Sequence, residues 1–210
     1  MTGRSIHIFL VDGAVSGLRT AELGLSTIKA LVIPRASLQS VTKRPEVQKT
    51  GLYILVGKDE NKPGVLKIYV GESDVILHRL SKHNKDTEKE FWEEAIVFVS
   101  KDENLTKSHV RYLEACLIKL AQDAKGCTVV NVIEHSEQGK LPESAEVEMQ
   151  EFIVQAQLLL GTLGYDLFKP FQPNLYVPSE PLTNTQGSLL KLTYSGVNFS
   201  ANCVMNINLG

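Results

Sequence analysis

The segment from Gly51 to Glu72, GLYILVGKDENKPGVLKIYVGE, constrains the fold more than any other part of the chain. Two apolar runs, residues 51–57 and 65–71, are rich in β-branched and aromatic residues. The polar stretch from Lys58 to Gly64 separates them, with Pro63 and Gly64 as breakers. That pattern predicts two adjacent antiparallel strands joined by a seven-residue loop. Each strand carries one tyrosine and a glycine at one end, as Gly51-Leu52-Tyr53 and Tyr69-Val70-Gly71.

The chain on either side reads as follows. Residues 5–11 form a strand ending at the Asp12-Gly13 turn signal, and residues 20–25 and 30–33 form two short strands, the second stopped by Pro34. Ser37 caps a helical turn or two that closes at Pro45. Residues 1–48 are thus expected as a small β-rich cap that leads into the hairpin. After Gly71, Ser73 or Asp74 caps a helix over 75–83. Residues 84–90 are a polar loop, residues 95–100 a third strand, and Trp92 a core residue. Asn104 or Thr106 caps a helix to about residue 123, whose apolar positions Val110, Leu113, Leu117, Leu120, Ala121 and Ala124 keep the helical period. Residues 127–130 form a short strand ending at Asn131. A linker over 135–142 precedes a long amphipathic helix, 143–165, expected to pack on the core. Residues 169–187, with four prolines, form a stiffer linker. Residues 188–210 look like a two-stranded tail. A lone hairpin is marginal in water, so it either docks or begins a further, truncated C-terminal domain.

No apolar run approaches the ~18 residues of a membrane span, and the N-terminus lacks a secretory pattern. A soluble, cytoplasmic protein is expected, with Cys116, Cys127 and Cys203 as thiols in a reducing compartment. The net charge of −2 excludes a global basic footprint for nucleic acid. Residues 1–50, however, hold seven Lys or Arg against three Asp or Glu. A local basic patch is available there.

Three polar residues on helices stand out. Glu114 lies about 40° from Val110 and about 20° from Ala121 around its helix, on the shoulder of the apolar stripe. A carboxylate so placed is partly desolvated and needs a partner or a metal. Arg79 and His83, four residues apart, share one helix face. Taken in order, GLY and YVG on paired strands, Arg79-Leu80-Ser81-Lys82-His83, a helical Glu114 and a late Asn131 resemble the GIY-YIG endonuclease domain. The resemblance covers roughly residues 49–134. It implies an α+β fold with a small antiparallel sheet of about three strands flanked by helices.

The resemblance also implies a metal-dependent DNA endonuclease, acting in repair, restriction or defence against mobile elements. Its catalytic set would be Tyr53, Tyr69, Arg79, His83, Glu114 and Asn131. Glu114 would hold one Mg²⁺ or Mn²⁺ ion, which polarises the phosphate and stabilises the leaving oxygen. Arg79 would bind the scissile phosphate through its planar fork. Tyr53 or Tyr69 would position or deprotonate the attacking water, Tyr53 being favoured with His83 assisting as the ultimate base, and Asn131 would fix geometry by hydrogen bonds. Lys67, on the face of Tyr69, reads as a phosphate contact, and Gly51 and Gly71 as points of close backbone approach to substrate. Glu72 reads as a surface residue or a neighbour of the metal ligand. The rival from another class is a nucleic-acid-binding or interaction module that keeps the fold with little catalysis. The charge of −2 favours that rival, or an additional C-terminal DNA-binding domain or partner protein.

Overall fold

The computed structural model describes residues 3–131 and 141–170, together with the backbone of residues 189–194 and 197–202. Most of the linkers expected at 135–142 and 169–187 lies outside the described residues, as does Cys203. The chain divides into two units, residues 1–173 and 174–210. Among its described residues the second holds one antiparallel hairpin.

The hairpin forms as its residues predict: β4, Gly51–Lys58, pairs antiparallel with β5, Leu66–Ser73, once β1 (Ile6–Leu10), β2 (Arg19–Leu23) and β3 (Ile28–Pro34) have preceded them. Helix α1 spans Ile76–His83, β6 spans Trp92–Ser100, α2 spans Lys107–Ala124 and β7 spans Cys127–Val129. Helix α3 spans Glu143–Thr162, and β8 (Leu189–Tyr194) pairs with β9 (Val197–Asn202) in the second unit.

The expected small sheet of about three antiparallel strands is corrected to a seven-stranded mixed sheet, in the order β1-β2-β3-β6-β4-β5-β7. The α+β character stands. The physical reason is a single edge. β3 lies antiparallel along β6 over seven residue pairs, from Ile28 opposite Ser100 to Pro34 opposite Glu94. The N-terminal strands therefore continue the sheet instead of capping it. At the opposite side β7 pairs parallel with β5, which makes the sheet mixed.

Alternation along the strands gives the sheet two apolar faces. One carries Leu52, Ile54, Val56, Ile68, Val70, Ile96 and Phe98 and is covered by α2 and α3. The other carries Tyr53, Leu55, Val97, Val99, Leu31 and Ile33 and is covered by α1 and by Leu38, Val41 and Val47 from the segment between β3 and β4. Trp92 is buried on this second face. Thr106 caps α2: its hydroxyl accepts from the His109 N–H while His109 Nδ1 accepts from the Thr106 N–H. At α1 the hydroxyl of Ser73 accepts from the Val75 N–H, one turn ahead of the helix. α3 starts at Glu143, directly after Pro142, whose fixed φ is pre-set for a helix start and which needs no N–H partner there. It buries Phe152, Ile153, Ala156, Leu159 and Leu160 against the sheet. Among the described residues no helix is long and apolar enough to cross a membrane.

A charge network ties the segment before β4 to the sheet. Glu46, nearly fully buried, accepts two hydrogen bonds from Arg44 and lies 3.0 Å from Lys29 Nζ, which also reaches Glu22 at 3.0 Å. Burial alone would raise the Glu46 carboxyl, but its hydrogen bonds and cations prevail and pull it down to about 2. A depressed carboxyl stabilises the fold above its unfolded value and loses that contribution as pH falls toward the folded one. Unfolding by urea should therefore grow easier between about pH 4.5 and 2. Glu46→Gln should flatten that acid limb while lowering stability at pH 7.

Candidate active site

Tyr53, Tyr69 and His83 meet on the α1 face of the sheet. Tyr53 follows the buried start of β4, and its partner across the ladder is Gly71, while Tyr69 sits opposite Leu55. A Cβ on Gly71 would lie 2.3 Å from the Tyr53 hydroxyl, so the missing side chain is the space the Tyr53 ring fills. A Cβ on Gly51 would come 2.6 Å from the carbonyl of Phe98, and its role is close packing of β4 on β6. Both glycines expected to face substrate thus face the chain itself.

Tyr53 has no exposed surface. Its hydroxyl lies 2.7 Å from His83 Nε2 at the C-terminal turn of α1. The Tyr69 ring stands edge-on to His83, with centroids 5.2 Å apart, and tilted toward Tyr53 at 6.3 Å. Tyr69 alone of the three is partly exposed. Burial, then the charges of Lys89 and Arg79, lower His83 to about 4, so the imidazole is neutral at pH 7. Its Nδ1 is buried and has no hydrogen-bond partner among the described residues. An orphaned N–H is costlier than an orphaned lone pair, which places the proton on Nε2 and makes Tyr53 the acceptor. The Tyr53 O–H is then free to donate.

Burial raises both phenols. The charges of Tyr69 and Glu114 add to that effect on Tyr53, and that of Glu114 on Tyr69, while Arg79 pulls each back. Tyr53, as a hydrogen-bonding neighbour, also pulls Tyr69 down. A fully buried phenol with a raised pKa does not meet bulk water, so of the two phenols Tyr69 is the one open to solvent. A His83 lowered to about 4 is a weaker base than a free imidazole.

Glu114 projects from α2, the helix on the opposite face, and its charge still bears on both tyrosines. It is half-buried, and among the described residues it makes no hydrogen bond or ion pair. Burial and the neighbouring Glu72 raise its carboxyl to about 7 against the pull of Arg79, Lys107 and Arg111. Glu72 is no surface residue. Its side chain is 14% exposed and is held by Lys107 at 2.7 Å. Arg79 is exposed and, with Glu72, Asp74, His78 and Lys107, lines an open groove of about 410 Å³.

Asn131 sits where the β5–β7 ladder ends and continues it with its side chain. Its Oδ1 accepts from the Val70 N–H at 2.9 Å, and its Nδ2 donates to the Val70 carbonyl at 2.7 Å. It fixes β5 between Tyr69 and Gly71 without touching the cluster. Lys67 turns to the Phe91 ring, 5.2 Å from its centroid. Two residues the sequence did not single out belong to the neighbourhood. Lys89 places its ammonium 4.5 Å from the Tyr69 ring centroid, and Arg35 binds the loop that carries Lys89. Neither shows a local signal, since one lies in a polar run and the other beside a proline.

Among the described residues no group of three or more His, Cys, Asp or Glu is placed to hold a metal ion. A cation here would rest on one or two carboxylates. Comparison with known protein families, with curated proteins and with solved structures finds no match.

Replacing Asn131 by alanine should cost about 1–3 kcal/mol by urea unfolding, because the Val70 amide loses both partners. Asn131→Asp should cost at least as much, since a carboxylate oxygen then opposes the Val70 carbonyl. Gly71→Ala should displace the Tyr53 ring, seen as a changed near-ultraviolet tyrosine dichroism with the far-ultraviolet signal retained.

Proposed function

We propose that this chain is a metal-dependent DNA endonuclease of the GIY-YIG type, hydrolysing phosphodiesters where Tyr69 and Arg79 on the α1 side come under the charge of Glu114 from the α2 side. The observation that carries the reading is Glu114. A half-buried carboxylate beside a second carboxylate, with no bonded cation of its own, is destabilised in its charged form. Hard oxygen donors with unmet charge suit a divalent ion that keeps waters and takes few protein ligands. The residues therefore fit Mg²⁺ or Mn²⁺, held by Glu114 with Glu72 beside it. When bound, such an ion neutralises charge on the phosphate and on the leaving oxygen.

The remaining roles belong to the chain itself. Hydrolysis forms one phosphorus–oxygen bond from water and breaks the ester bond, and the proton from water ends on the leaving oxygen. Tyr69, the phenol open to solvent, orients the attacking water. Tyr53 links it to His83: Nε2–H donates to the Tyr53 oxygen and the Tyr53 hydroxyl points its proton toward Tyr69. That arrangement stabilises negative charge developing at Tyr69. Arg79, exposed above the groove, offers its fork to phosphate. A cytoplasmic setting belongs to the same reading, in keeping with the free thiols of Cys116 and Cys127. The net charge of −2 leaves part of DNA binding to a basic partner or further domain.

A second reading, a nucleic-acid-binding module with little catalysis, is favoured by the complete burial of Tyr53. Cleavage separates the two. Wild type incubated with plasmid, single-stranded and branched DNA should cut with Mg²⁺ or Mn²⁺ and stop with EDTA. Glu114→Ala should lose about 100-fold or more in rate. Equal inertness of both proteins on every substrate favours the module. Metal-dependent cutting should rise as pH climbs through about 7, because only the ionised Glu114 binds a cation. Glu72→Gln removes a charge that raises Glu114, and the rise should move to lower pH.

A further inference from the structure

The polar run from Asn84 to Glu90, which reads as a solvated loop, is held at both ends by one side chain. Arg35, in the turn after β3, donates from Nε to the Asn84 side chain at 2.9 Å and from Nη2 to the Asn84 carbonyl at 3.2 Å. Its Nη1 donates to the Glu90 carbonyl at 2.9 Å and to that of Trp92 at 3.4 Å, and the guanidinium lies 5.0 Å from the Trp92 ring centroid. Between those fixed ends, Asp86 accepts from the Glu88 N–H at 3.0 Å and so starts a 3-10 turn, Thr87–Lys89. The turn brings Lys89 back over Asp86 at 3.4 Å and over the Tyr69 ring at 4.5 Å. The lysine side chain is only 18% exposed. Lysine is rarely so covered without a purpose for its charge, since desolvating an ammonium is costly.

We propose that Lys89 is a positioning residue of the Tyr53–Tyr69–His83 cluster, its ammonium fixed over Tyr69 by Asp86 and by the Arg35 clamp on the loop. The cation–π contact pins the one solvent-facing phenol against the edge of His83. The same positive charge opposes a second proton on the imidazole, which keeps His83 as the neutral Nε2–H donor to Tyr53. Lys89 thus acts through Tyr69 and His83 and need not touch a substrate. The N-terminal strands matter to the site for this reason: they deliver Arg35, and Arg35 fixes the wall that carries Lys89.

The proposal rests on the reading of Tyr69 and His83 as site residues, yet its test needs no cleavage. The groups that face His83 are Lys89, Asp86 and Lys82 from its own loop and helix, Arg79 one turn back, and the two tyrosines from the sheet. The His83 imidazole C–H signal is followed by NMR against pH in the whole chain, assigned by its loss in His83→Asn. Lys89→Gln should move the midpoint up by about 0.5 pH or more, and Asp86→Asn should move it down, because the two remove opposite charges. Lys89→Arg should restore the wild-type midpoint to within about 0.2 pH. A loop merely loosened by substitution would hydrate the imidazole and move both midpoints up. Shifts of the same sign, or no shift in Lys89→Gln, overturn the proposal. A failed nuclease reading with opposite shifts leaves the Lys89 assignment standing.

Discussion

The hydrogen bond between the Tyr53 hydroxyl and His83 Nε2, 2.7 Å long and sealed from solvent, is the point on which the rest of the structure depends. It crosses from the sheet to α1 inside an otherwise apolar layer of Leu55, Ile76, Leu80, Val97 and Val99. A lone polar contact in such a layer must be satisfied, because an unpaired hydroxyl there costs far more than the bond itself gains. That requirement fixes three things at once. The Tyr53 ring must lie across β5, which demands glycine at position 71. α1 must end with His83 over the sheet, and Tyr69 must stand between the pair and the solvent.

Two opposed faces of one sheet then converge electrostatically. Tyr53, Tyr69 and His83 belong to the α1 face, while Glu114 and Glu72 come with the α2 side, where Lys107 bridges Glu72 and Asp74. Asn131 pins the backbone of β5 between them. The result is a strip where a carboxylate raised by burial and by Glu72 bears electrostatically on phenols whose ionisation burial resists. Such opposed pressures on neighbouring titratable groups mark functional sites more often than structural ones. That inference supports the nuclease reading on the chemistry of the residues, independent of any likeness in the order of the motifs.

The hairpin was legible because alternation, two tyrosines and a Pro-Gly loop are local signals. α2 was legible from Thr106 and its apolar period. The extent of the sheet was not, because the register of β3 on β6 joins residues about 70 positions apart and leaves no mark in either strand's own pattern. The shoulder position of Glu114 was readable from helical geometry, but the burial of Glu72 was not. A glutamate after a strand motif looks exposed until the Lys107 contact is known. The sequence pattern around Tyr53 and Tyr69 carries no sign of which one is buried. Only the register, with Tyr53 opposite Gly71 and Tyr69 opposite Leu55, decides which phenol is buried and which meets water. Lys89 and Arg35 were invisible for a related reason, since a charge in a polar run is by default solvated.

The central claim, that Glu114 can bind a divalent cation, can be measured without knowing any substrate. Binding of Mn²⁺ is followed by the loss of its free-ion electron paramagnetic resonance signal at pH 8, in wild type and in Glu114→Gln of verified fold. The account predicts one ion bound per wild-type chain and its loss in the variant. Equal binding by the two proteins, or none by the wild type, would contradict it.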